Sequence, residues 1–142
     1  MFRQVTETLY VSPQIGVAEV AYAKALGVTM VVNNRPEGEE PGQTTGAEIE
    51  AAARAAGLDY AAVPVTHAGF SPWQLDGMAT ALEQAGTGKV LAYCRSGTRS
   101  TFLWALTRAR AGDDAAALSD QAAAAGYDLS PIRQIMDAVK GG

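Results

Sequence analysis

Apolar positions along the chain alternate between short continuous runs and longer segments with helical spacing. Leu9-Tyr10-Val11 predicts a strand, and Ser12-Pro13 reads as a helix N-cap with proline at the first helical position. The alanine-rich segment 17–26 predicts a helix closed by Gly27. Residues 28–33, Val-Thr-Met-Val-Val-Asn, form a continuous apolar run, as expected of a strand covered on both faces. Residues 34–42 are too rich in proline and glycine for a regular element. Thr45 with Glu48 forms a capping box for a helix running to about Gly57, and residues 60–65 predict the next strand. Ser71-Pro72 opens a helix that ends near Gly86. Residues 89–93 are a buried strand leading directly into Cys94, and Phe102, Leu103, Leu106 and Ala109 have helical spacing. Two more helices are expected, over 113–125 and from Ser130-Pro131 to about Val139.

Strands separated by helices imply an α/β fold, a mostly parallel central sheet flanked by helices. No linker, repeat or low-complexity tract divides the chain, so residues 1–142 read as one domain. The net charge of −4 argues against nucleic acid or an acidic membrane surface as the main partner, yet leaves room for a local basic pocket. The opening stretch Met1-Phe2-Arg3-Gln4-Val5-Thr6-Glu7 has no apolar run of the signal-peptide kind, and no segment is long and apolar enough to span a bilayer. A cytoplasmic location is therefore expected. One cysteine cannot form an internal disulfide, and one cysteine with one histidine makes a poor zinc site, so neither metal nor organic cofactor is expected.

The chemistry concentrates in Cys94-Arg95-Ser96-Gly97-Thr98-Arg99-Ser100. This segment lies where a buried strand gives way to a helix, the place where ligands collect in open α/β sheets. Backbone N–H groups there have no partners inside the helix and can converge on one anion. Gly97 permits the positive-φ turn that such wrapping needs. Arg99 adds a planar fork for two oxygens of a phosphate or sulfonate. The same donors stabilise a thiolate, making Cys94 a nucleophile. A lone cysteine is more often an inert buried hydrophobe, but here the neighbouring arginines, glycine and hydroxyls supply the electropositive niche a reactive thiol requires.

The loop from Tyr93 to Ser100 resembles the active-site loop of rhodanese-type sulfurtransferases, which have four residues between the cysteine and the arginine position, as here. Cysteine-dependent phosphatases have five, with histidine before the cysteine. The rest of the chain resembles dual-specificity phosphatases: Val63-Pro64-Val65 followed by a helix, then Val90-Leu91-Ala92-Tyr93-Cys94, then three helices. Together with Asn33-Asn34-Arg35-Pro36-Glu37-Gly38-Glu39, the pattern resembles a bacterial family of phosphatase-like sulfurtransferase domains, found alone or fused to metallo-β-lactamase-like hydrolases. The resemblance implies a cysteine-phosphatase-like fold. It also implies that Asn34, Arg35 and Glu37 line the pocket. A solvated turn in which Arg35 pairs locally with Glu37 or Glu39 is the alternative.

Two departures from the phosphatase pattern bear on the reaction. Phosphatases of this type protonate the leaving oxygen with an aspartate on the loop after Val-Pro-x, whereas here the stretch is Thr66-His67-Ala68-Gly69-Phe70. General-acid help is worth ~10² to 10⁴ in rate. Sulfite leaving from thiosulfate needs no such proton, and the shorter loop suits a terminal sulfur better than a phosphoryl group. The sequence therefore ranks sulfur transfer first: Cys94 takes sulfane sulfur from thiosulfate or glutathione persulfide, and a thiol or cyanide removes it. A functional link to a persulfide-processing metallo-β-lactamase-like enzyme follows from the same resemblance. A phosphatase acting through a cysteinyl-phosphate is the alternative, and a non-catalytic anion-binding or redox-sensing module is a further one. His67 donates to a leaving group, hydrogen-bonds the substrate, or is an exposed loop histidine. Ser100 steadies the thiolate, caps the helix, or both. Arg95 widens the positive field, binds a larger donor such as glutathione persulfide, or points to water, and Ser96 and Thr98 complete the loop. Trp73 and Trp104 read as packing residues.

Overall fold

The computed structural model describes residues 1–140. A five-stranded sheet carries helices on both faces. The strands are β1 (Arg3–Thr6), β2 (Leu9–Ser12), β3 (Val28–Asn33), β4 (Asp59–Ala62) and β5 (Lys89–Tyr93). Their order is β1-β2-β5-β3-β4, with β1 antiparallel to β2 and every other pairing parallel. The helices are α1 (Val17–Ala25), α2 (Gly46–Ala55), α3 (Pro72–Ala85), α4 (Thr98–Arg110), α5 (Ala115–Ala124) and α6 (Arg133–Val139), the last entered through a 3₁₀ turn at Ser130–Ile132. The expected α/β architecture is thus present, with one antiparallel edge strand added to a parallel sheet. None of the helices among the described residues is long and apolar enough to cross a membrane.

Side-chain alternation divides the core into two layers. On β5, Val90 and Ala92 face the layer covered by α3, α4, α5 and α6, while Leu91 and Tyr93 face the one covered by α1 and α2. This two-sided cover explains the apolar run of β3, whose Met30 and Val32 enter the first layer and Val28 and Val31 the second. A register shift between Val28 and Met30 turns Thr29 out to solvent, an exception to the two-sided cover expected there. Helix α4 is the most enclosed, burying Leu103, Trp104, Ala105 and Leu106. Full burial of each large apolar side chain contributes about 1.5–3 kcal/mol. The loop preceding α4 is therefore anchored to a rigid element.

Local differences from the expected boundaries have physical causes. Ser12-Pro13 does not open a helix. Ser12 ends β2 and donates its hydroxyl to the Pro13 carbonyl, and α1 starts four residues later, with Glu19 accepting from the Gly16 N–H at 2.6 Å. Strand β4 ends at Ala62 rather than at Val65. Pairing with the β3 side continues irregularly, Val63 and Val65 donating to the carbonyls of Asn33 and Asn34, because Pro64 has no N–H to give. Trp104 is packed in the core as expected, whereas Trp73 is exposed on the first turn of α3. The capping box at Thr45 and Glu48 is present at the start of α2.

Candidate functional site

The C-terminal ends of the parallel strands position the site. Cys94 follows β5 directly, its N–H donating to the Ser12 carbonyl at the end of β2, while Asn34 N–H donates to the Tyr93 carbonyl from the end of β3. Cys94 is buried. Gly97 sits at the N-cap of α4 with φ 91°, the left-handed conformation that its lack of a Cβ permits. The turn directs the Gly97 N–H onto Cys94 Sγ at 3.1 Å. Ser100, on the first turn of α4, is fully buried, and its hydroxyl has no hydrogen-bond partner among the described residues. Ser96 and Thr98 lie on the outer side of the loop, their hydroxyls 3.0 Å apart. Arg95 points outward, with its side chain 66% exposed and 4.0 Å from Glu40.

Arg99 is held from one side and open on the other. Its Nη1 donates to Glu39 Oε2 at 2.8 Å and to the Val65 carbonyl at 2.7 Å, and Nη2 donates to Glu39 Oε1 at 2.8 Å. Nε–H and the second Nη2–H remain, two parallel donors along one edge of the guanidinium. Glu39 is the main cause that raises the Arg99 pKa above its ordinary value, and negative charge on Cys94 raises it further. The thiol and the arginine therefore share one small space at the head of α4.

Behind this space lies an ion-pair network of which the sequence suggested only a local Arg35–Glu39 pair. Arg35 is nearly inaccessible to solvent and donates through Nε to Glu39 at 2.8 Å, through Nη2 to Glu40 at 2.9 Å and through Nη1 to Gln14 at 3.1 Å. One carboxylate, Glu39, thus bridges two guanidiniums. Arg99 foremost, with Arg35, holds its carboxyl down at about 2. The solvated turn is overturned: Arg35 does pair with Glu39, but as a buried strut behind the loop. Glu37 takes another role, accepting the Gly46 N–H at 2.8 Å and capping α2. Asn34 is buried, its amide donating to the Val63 carbonyl while Oδ1 has no partner among the described residues. His67 is exposed on the loop between β4 and α3. The structure gathers Cys94, Gly97 and Arg99, buries Ser100 on the first turn of α4, places Arg35 behind Arg99 across Glu39, and leaves His67 and Arg95 exposed.

Known proteins share this arrangement of elements. Residues 1–111 match the family model described as "Beta-lactamase hydrolase-like protein, phosphatase-like domain". A beta-lactamase hydrolase-like protein of Agrobacterium fabrum is 33% identical over 109 residues, covering 77% of this chain and 25% of that protein. Its counterpart in Xylella fastidiosa is 35% identical over 129 residues, covering 88% of this chain and 29% of that one. The chain therefore spans between a quarter and a third of the length of these relatives. A crystal structure from Neisseria meningitidis, described as that of a candidate phosphatase, superposes with a TM-score of 0.82 at 32% identity, covering 97% of each chain. With a strand–loop–helix site on a matching fold and a family model spanning most of its length, the chain belongs to the phosphatase-like domain family of beta-lactamase hydrolase-like proteins.

Proposed function

We propose that this domain is a cysteine-dependent phosphatase acting through Cys94 on esters whose leaving group departs without protonation. The observation that carries the reading is the pairing of Gly97 N–H with Cys94 Sγ beside the open Nε/Nη2 edge of Arg99. Two phosphoryl oxygens occupy that edge while loop N–H groups hold the third. The Cys94 thiolate attacks phosphorus, an S–P bond forms, and the P–O bond to the leaving group breaks with its electron pair. Water then attacks phosphorus, releasing inorganic phosphate and the thiolate. Glu39 cannot protonate the leaving group, because its carboxyl stays ionised down to about 2. Segment 66–70 carries no carboxylate either. Both facts, with His67 exposed on its loop, point to acidic leaving groups such as phenols.

Sulfur transfer is the second reading, favoured by the four residues between Cys94 and Arg99 and by the same absence of a proton donor. In it, thiosulfate or glutathione persulfide supplies sulfur to Cys94, a thiol accepts it, and a metallo-β-lactamase-like enzyme handles the persulfide. The family and its structural relatives weigh toward phosphoryl chemistry and reverse the order that the sequence alone suggested. A side-by-side assay separates them: aryl phosphate hydrolysis against thiosulfate with cyanide, for the wild type and Cys94→Ser. Cys94-dependent phosphate release faster than thiocyanate formation supports the first reading. Thiosulfate turnover with an inert aryl phosphate replaces it with the second.

A further inference from the structure

An anion-binding loop works only if its N–H groups point inward, which requires its carbonyls to be held outward. The C=O of one residue and the N–H of the next lie on one planar peptide and point in opposite directions. Each of the three central carbonyls here has a donor outside the loop. Arg95 C=O accepts from Gln14 N–H at 3.3 Å, and Gly97 C=O accepts from Thr101 N–H at 3.0 Å and its hydroxyl at 2.8 Å. The middle one, Ser96 C=O, accepts from the Tyr127 hydroxyl at 3.3 Å. The peptide that Tyr127 holds is the one whose N–H reaches Cys94 Sγ.

Tyr127 comes from the connection between α5 and the 3₁₀ turn, and it is itself fixed. Arg3 of β1 sits 5.5 Å from its ring centroid and donates to the Ala125 carbonyl at 3.0 Å. A Cβ on residue 97 would overlap the Tyr127 hydroxyl, so the ring rests directly on Gly97. Burial raises the pKa of the phenol, Arg3 opposes this, and charge on Cys94 raises it further, so the hydroxyl remains a donor at neutral pH. We infer that Tyr127 is a positioning residue for the Cys94 reaction: its hydroxyl, by holding the Ser96 carbonyl outward, orients the Gly97 N–H onto the sulfur. The inference rests on Cys94 being the nucleophile, as proposed above. The titratable groups around the sulfur are Arg99 on α4 and Tyr127 from the far connection, with Glu39 behind Arg99.

The test is Tyr127→Phe, which removes the hydroxyl and leaves the ring on Gly97. Thiolate absorbance is read from about pH 5 to 9, each protein being compared with the same protein carrying Cys94→Ser. Less thiolate at about pH 7, with the curves meeting at the alkaline end, is expected. A roughly five- to tenfold fall in kcat on aryl phosphate should accompany it, the size of one net hydrogen bond. Arg3→Ala, which frees the ring without touching the hydroxyl, should move both readouts the same way by less. An unchanged thiolate curve in Tyr127→Phe overturns the inference even if kcat falls, because a packing role alone would do that. Failure of the reaction assignment looks different: a wild type inert on aryl phosphate and thiosulfate, with the thiolate difference between Tyr127 and Phe still present.

Discussion

Glu39→Gln is the sharpest perturbation of the site, since it removes one charge and almost no volume. In the native protein the carboxylate accepts three short hydrogen bonds, two from Arg99 and one from Arg35, all at 2.8 Å. A carboxamide offers one oxygen, and its NH₂ faces a guanidinium donor. Arg35 keeps Glu40 and Gln14, so it is not stranded, whereas Arg99 keeps the Val65 carbonyl and at most one bond to the amide oxygen. Removing one member of a buried charge cluster costs about 3–5 kcal/mol, and the partners that remain reduce this to about 2–4 kcal/mol. For a domain of this size that lowers the melting temperature by about 5–12 °C. The pH dependence carries a sign. The folded carboxyl sits at about 2, below its ordinary 4.5, so the unfolded chain takes up the proton first as the solution is acidified. The stability from Glu39 is complete above about pH 5 and is lost as pH falls toward 2. The full shift corresponds to roughly 3 kcal/mol, and solvent screening on the open side of the carboxylate discounts it to about 1–2 kcal/mol. Urea melts of both proteins between about pH 2 and 7 should show a gap that narrows on acidification. Equal stability at about pH 7, or a gap independent of pH, would refute the bridging role of Glu39.

Arg99→Lys keeps the charge but loses both the edge held by Glu39 and the edge proposed above for the phosphoryl oxygens. Turnover should fall by ~10² or more while far-ultraviolet circular dichroism stays native, and unaltered steady-state kinetics would remove Arg99 from the site. Thr45→Ala deletes the hydroxyl that accepts the Glu48 N–H at the start of α2 and should destabilise the fold by about 1 kcal/mol in urea, with kcat unaffected.

What the sequence discloses follows from what is contiguous in it. The apolar run before Cys94, the glycine three residues on and the arginine five residues on are neighbours in the chain, so strand, loop and helix could be read together. The same holds for the Thr45–Glu48 box, which closes within one helical turn. Glu39 reaches Arg99 across 60 positions and is one of 15 acidic residues, so only its local pairing with Arg35 is legible in the sequence. Tyr127 reaches Ser96 across 31, from a connection with no motif of its own. Strand β1 carries little apolar signal in the sequence, because its outer residues Arg3 and Gln4 are exposed at a sheet edge. Ser12-Pro13 misled because a cap-like hydroxyl with proline also ends a strand. Glu37 and Arg35 stand two residues apart but diverge, one to the α2 N-terminus and the other behind the Cys94 loop, a distinction that only the three-dimensional path of segment 34–45 decides.

The central claim is that Cys94 becomes covalently bonded to the group it transfers. Rapid acid quenching after mixing with an aryl phosphate, followed by intact-mass measurement, tests it directly, with thiosulfate in a parallel arm. The account predicts a transient phosphoryl adduct on Cys94 in the wild type and none in Cys94→Ser. A phosphoryl adduct that survives in Cys94→Ser, or phosphate release with no adduct at any time point, would contradict it, and a sulfur adduct alone would hand the site to sulfur transfer.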